Sequence, residues 1–145
     1  MATWSDVSNM AKMYGAEQKS ETVWLFNIQG TDESRRQDVY VSYELMPPDF
    51  ELIKISSLVA TLEHVDPGEI FRNVGKFQIG NLGYSPGFER EGGQNDGFIT
   101  IGTTIPLAII NISDPTFLLL YLHILADLAD ALEQQYSKYP PFDVF

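Results

Sequence analysis

The strongest periodic signal in the sequence lies near its end, from Asp114 to Tyr136, and it commits the chain to a long amphipathic helix. Asp114 can cap the first turn, and Pro115 suits the first helical position. Phe117, Leu118, Tyr121, Ile124, Leu125, Leu128 and Leu132 recur at the three- and four-residue spacing of a helix face turned to a core. Leu119, Leu122 and Ala126 lie beside that stripe, while His123, Asp127, Asp130 and Glu133 or Gln134 make the polar side. The apolar stripe is wider than one sheet contact consumes, so a second cover is expected over the flank that carries Leu119 and Leu122.

A chain of 145 residues, 44% hydrophobic and 12% aromatic, is long enough for one domain with a real core and too short for two ordinary ones. One domain over residues 1–145 is expected. Nine basic against 20 acidic residues give a formal charge of -11, which repels phosphate backbones and anionic headgroups. Neither nucleic acid nor a membrane is therefore expected as a partner. The acids are spread from Asp6 to Asp143 without a long run, as on an ordinary solvated surface. Cysteine is absent, which removes disulfides, thiolate metal sites and cysteine nucleophiles and fits a reducing compartment. The first residues, Met1 to Asp6, hold no basic region followed by an apolar one. The longest apolar run, Phe117 to Leu122, falls far short of the ~20 residues of a membrane-spanning helix. A cytoplasmic location is expected.

Thr3 can cap a short first helix whose apolar face is Trp4, Val7, Met10, Ala11 and Tyr14, with Gly15 as its stop. From Glu21 to Ile28 the pattern turns to β: Val23 and Leu25 share one face, Trp24, Phe26 and Ile28 the other, and both faces are apolar. The polar stretch from Gly30 to Arg36 reads as a hairpin loop. In the returning strand Val39, Val41, Tyr43 and Leu45 alternate with Tyr40, Ser42 and Glu44. Pro47 and Pro48 cannot donate to a sheet ladder and mark a corner, after which Phe50 to Ser57 forms a third strand of a meander. Asp66 as cap, Pro67 and Glu69 predict a short helix from Pro67 to about Lys76. A strand around Ile79 and Leu82 and another from Phe98 to Thr104 follow, joined by the Gly-rich loop Ser85 to Gly97. The apolar tail from Pro140 to Phe145 is expected to pack back on the body.

Candidates for chemistry are few. His64 and His123 sit on different elements without a second histidine or a carboxylate at metal-ligand spacing. His123 and Asp127, four residues apart on the last helix, form an ordinary solvent-facing pair far more readily than an active site. Glycines 75, 80, 83, 87, 92 and 93 precede no Gly-Lys-Ser/Thr element and sit in no strand-to-helix dinucleotide fingerprint. Ser85-Pro86-Gly87 is not the Gly-flanked serine of a nucleophile elbow. No catalytic residue, metal or cofactor is expected.

Three stretches carry a resemblance: Leu52-Ile53-Lys54-Ile55-Ser56-Ser57 followed by Val65-Asp66; Gly97-Phe98-Ile99-Thr100-Ile101 leading to Ile105-Pro106-Leu107; and Leu125 to Glu133. Together with the order of elements, over roughly Glu21 to Tyr136, they resemble the YbjN-like proteins and the related specialised chaperones of type III secretion. The resemblance implies an α+β fold, a twisted antiparallel sheet of about five strands with helices on one face, in the order α-β-β-β-α-β-β-α. It also implies a dimer, no cofactor, and a role in binding a protein segment or regulating a partner. The Gly-rich stretch Ser85 to Gly97 and the aromatic tail ending at Phe145 depart from the family pattern.

The expected function is that of a non-enzymatic protein-binding module, chaperone-like or regulatory, holding a segment of a partner against a sheet edge or apolar groove, or pairing with a second copy of itself. The surplus apolar residues, Trp24, Phe26, Tyr40, Leu119 and Leu122, are the candidate partner- or dimer-binding set. The alternative is a small ligand-binding or enzymatic domain with a pocket under the Ser85 to Gly97 loop and His64 or His123 as acid–base group.

Overall fold

The computed structural model describes residues 2–30, 35–61, 81–85, 98–111 and 113–136. Helix α1 (Trp4–Met13) is followed by strands β1 (Glu17–Ser20), β2 (Val23–Gln29), β3 (Arg36–Met46), β4 (Phe50–Thr61), β5 (Asn81–Ser85) and β6 (Phe98–Pro106). A single 3-10 turn, Leu107–Ile109, then leads to helix α2 (Thr116–Tyr136). All pairings are antiparallel and the six strands lie in the order β1-β2-β3-β4-β6-β5. The class is α+β, as the resemblance implies. Strand β1 is additional to the expected order, since Glu17-Gln18-Lys19-Ser20 has no apolar residue to announce it. The helix expected at Pro67 to Lys76 lies outside the described residues, as do the loop at 86–97 and the tail beyond Tyr136.

Register explains the core. Trp24 faces Val41, Val41 faces Ile55, and Phe26, Val39, Ser57 and Ile101 form the neighbouring row across β2, β3, β4 and β6. Opposed residues of antiparallel strands share a face, so these rows build one apolar surface, and all of these apolar residues are buried. Gly102 sits where β6 runs against β4: a Cβ there would lie 2.8 Å from the Ile55 carbonyl oxygen, so any side chain would push the strands apart.

Helix α1 is bounded at both ends. Thr3 and Asp6 form a reciprocal capping box, with the Asp6 amide donating to Thr3 Oγ1 at 3.2 Å and the Thr3 amide donating to Asp6 Oδ2 at 2.9 Å. At the far end Gly15 takes a φ of 72°, and the Gly15 and Ala16 amides reach back to the Lys12 and Ala11 carbonyls at 3.2 and 3.0 Å. That pair of bonds is a Schellman closure. The indole of Trp24 donates to Ser8 Oγ at 3.0 Å and that of Trp4 to the Glu21 carbonyl at 2.9 Å, so α1 is tied to the start of β2.

Helix α2 covers the rest of the same face. Asp114 Oδ1 accepts from the Thr116 amide at 3.2 Å, as its position before Pro115 suggests, and this bonding holds the Asp114 carboxyl below its usual pKa. The buried stripe is Leu118, Leu122, Leu125, Ala126, Ala129, Leu132 and Glu133. The helix is therefore rotated from the expected seating: Leu122 and Ala126 form the centre of the contact rather than its flank, whereas Phe117 is half exposed. Ala126 and Ala129, both wholly buried, let the helix axis come close to the sheet, and this fixes the rotation. Glu133, expected on the polar side, is 1% exposed. Asp130 accepts from Arg35 Nε at 2.7 Å on Oδ1 and from Gln134 Nε2 at 2.8 Å on Oδ2, which anchors the start of β3 to the last turns of α2.

Leu122→Ala is expected to lower unfolding free energy by ~2–5 kcal/mol in urea titration, because its side chain is fully enclosed. The pH dependence of the α1 cap has a defined sign. Bonds from Thr3 hold the Asp6 carboxyl below its ordinary pKa, so the ionised form contributes stability above the unfolded value. That contribution is lost as pH falls through the folded value. The melting temperature of Asp6→Asn should thus lie below the parent's at neutral pH and approach it once the pH drops below the ordinary carboxylate range of about 4.

Candidate partner-binding groove

Strands β3 and β4 close in a tight corner, Pro47-Pro48-Asp49, in which the Pro47–Pro48 peptide is cis. Tyr43 and Ile53 are the last opposed pair packed into the core. Past them Leu45, Met46 and Phe50 are 58%, 53% and 64% exposed, and Met46 and Phe50 face each other across the hairpin. Turn residues are ordinarily polar or small, so an apolar hairpin end in a chain of charge -11 requires a reason beyond the fold.

That end borders an open groove of about 400 Å³. Met46, Phe50 and Leu52 of the hairpin, Pro106, Leu107 and Ala108 after β6, and Ala2 and Thr3 at the start of α1 line it. Leu52 and Pro106 are register partners, so the floor belongs to the β4–β6 ladder. Ile109, 62% exposed, follows directly on Ala108. Asp49 and Glu51 are the charged residues among the lining. A smaller hollow of about 340 Å³ lies between α1 and the segment that leads into α2, lined by Asp6, Asn9, Met10, Met13, Tyr14, Ser113 and Pro115.

The β1 edge of the sheet is a poorer docking place. Strand β1 has only four residues, all exposed, its register with β2 slips between Gln18 and Ser20, and Lys19 bonds to Glu17 at 2.9 Å. Short, charged, bulged edges are the usual defence against strand addition.

The residues expected to bind a partner are not brought together. Trp24 and Phe26 are each 3% exposed, with their face spent on α1, α2 and β3, and Leu122 is wholly enclosed. These three are core residues, because the helices consume the apolar surplus that the sequence shows. Leu119 is half-buried at the edge of the core, and Tyr40 is half-buried on the opposite side of the sheet, between Leu25 and Ser56 in register. Met46 and Phe50, the exposed apolar residues of the groove, are absent from the expected set. Their signal is Leu45-Met46-Pro47-Pro48-Asp49-Phe50, a corner flanked by large apolar residues where solvated ones belong.

Two of the buried polar side chains, Gln37 and Ser57, bond to each other and to the main chain. Gln37 Nε2 donates to Ser57 Oγ at 3.0 Å and to the Leu58 carbonyl at 2.9 Å, while Ser57 Oγ donates to the Asp38 carbonyl at 2.6 Å. With its proton held by a main-chain oxygen, the Ser57 hydroxyl is a strut between β3 and β4 rather than a poised nucleophile. His123 is exposed on α2; His64 and residues 86–97 lie outside the described residues. Among the described residues no group of three or more histidine, aspartate or glutamate side chains is arranged to hold a metal, and no helix is long and apolar enough to cross a membrane.

No protein-family model matches the chain, and no curated protein sequence matches it.

Phe50→Ser should leave unfolding free energy within ~0.5 kcal/mol of the parent, since the side chain is largely solvated already. It should reduce fluorescence enhancement of an apolar dye such as ANS at neutral pH. Equal dye binding by parent and variant would show that the groove is not an accessible apolar surface.

Proposed function

We propose that the chain is a non-enzymatic protein-binding module of YbjN-like character, chaperone-like or regulatory, which holds a segment of a partner protein in the groove at the β3–β4 hairpin end. One observation carries this reading: the large apolar side chains Met46 and Phe50 stand exposed along an apolar groove that they share with Leu52, Pro106 and Leu107, while the rows of large apolar residues under the helices, such as Trp24, Val41 and Ile55, are enclosed. Enclosing a phenylalanine is worth ~1.5–3 kcal/mol, so two or three such anchors supply most of the surplus a modest complex needs after ordering costs. Acidic surroundings keep such a surface soluble until a partner covers it. A cytoplasmic site of action agrees with the cysteine-free composition.

Site-specific photo-crosslinking in cells producing the chain tests the proposal. With p-benzoylphenylalanine in place of Met46, discrete adducts heavier than the 16.3 kDa chain are expected. They should be absent when the probe replaces Thr104, an exposed residue of β6, and weakened by Phe50→Ser. No adduct beyond the Thr104 control, or adducts solely at twice the chain mass, would overturn a partner-holding role, the latter in favour of self-association.

A further inference from the structure

The groove carries a charge pattern as well as an apolar floor. Asp49 and Glu51 bracket Phe50 in the sequence and both line the groove, with no lysine, arginine or histidine in the lining among the described residues. Glu44, exposed and opposite Leu52 in register, adds a third carboxylate beside it. Lys54 lies two residues further along β4 on the side of Phe50 and Leu52, paired in register with Ser42 and Thr104, and is not part of the lining. An apolar slot rimmed by acids selects against anionic occupants and for a side chain sequence that alternates apolar and cationic groups.

A second copy of the chain fits this pattern poorly. In a two-fold contact each patch meets itself, so Asp49 and Glu51 of one protomer would be brought close to the same residues of the other, and the chain has only nine cations against 20 acids with which to answer them. Resting on the partner-binding role proposed above, we infer that the occupant is a cationic amphipathic segment of another protein. Its apolar side chain seats between Phe50 and Pro106, and a neighbouring lysine or arginine lies against Asp49 and Glu51. The apolar anchor supplies most of the affinity, and the carboxylates choose among apolar segments.

Fluorescence anisotropy with three labelled dodecapeptides, made of leucine and lysine, leucine and serine, or serine and lysine, separates these contributions. At low salt the leucine–lysine peptide should bind about tenfold more tightly than either of the others, the scale expected of two exposed charge pairs added to an apolar anchor. Asp49→Asn with Glu51→Gln should abolish most of the advantage over the leucine–serine peptide without weakening the latter. Glu17→Gln with Glu21→Gln, the same charge change at the start of β1 and beside it, should leave the advantage intact. Equal binding of the leucine–lysine and leucine–serine peptides overturns the charge preference while leaving an apolar partner site standing. Equal losses from both double variants overturn it too, since the preference would then belong to the net charge of the whole molecule. If no peptide binds although the Met46 crosslink forms, the cationic occupant is wrong and the partner-holding role survives.

Discussion

The closeness with which α2 seats on the sheet governs the rest of the molecule. Ala126 and Ala129 bring the helix near β3 and β4, and only at that approach do Leu118, Leu122, Leu125 and Leu132 reach the rows built by Trp24, Val41 and Ile55 and by Phe26, Val39 and Ile101. The Arg35–Asp130 pair, with 11% and 14% of its two side chains exposed, then fixes the helix lengthwise. Desolvated ion pairs contribute little net stability, but they tolerate no slip, so this one reads as a register pin. Gln37 and Ser57 play the same part within the sheet, where their bonds to the Leu58 and Asp38 carbonyls hold β3 and β4 in place beside the bulge in the β4–β6 ladder.

The site lies outside that cover. By register Met46 and Phe50 lie on the face of the sheet turned away from the buried row of Val41 and Ile55, and with the turn after β6 they border a concave surface. Function is thus proposed at the margin of the fold, where sequence and solvent disagree, and not in the interior where the largest apolar residues lie.

Much of the architecture was legible in the sequence because its signals are local. The Thr3 and Asp114 caps, the Gly15 stop, the alternation from Val39 to Leu45 and the corner at Pro47-Pro48 each declare themselves within a few residues. Strand β1 escaped notice because an exposed edge of Glu, Gln, Lys and Ser has no apolar period to detect. The rotation of α2 escaped for a different reason. Its apolar stripe is broad enough to admit several seatings, and the choice among them is made by two alanines meeting a particular pair of strands, a non-local fact. The candidate site failed for the same cause: Trp24, Phe26 and Leu122 look like surplus until the packing of both helices is known, whereas Phe50 looks like an ordinary strand residue until its register places it on the face away from the core.

The bond between Arg35 and Asp130 joins residues 95 positions apart, and α2 follows every described strand in the chain. A ribosome therefore releases the whole sheet before the element that shields it. During that interval α1 is the one described helix available to cover Trp24, Phe26, Val39, Val41, Ile53 and Ile55, and closing so distant a contact is slow compared with forming the β2–β3–β4 meander from neighbouring segments. The nascent chain thus passes through a state with an open apolar sheet and a high negative charge, in which mutual repulsion between unfinished copies is the main guard against their sticking together.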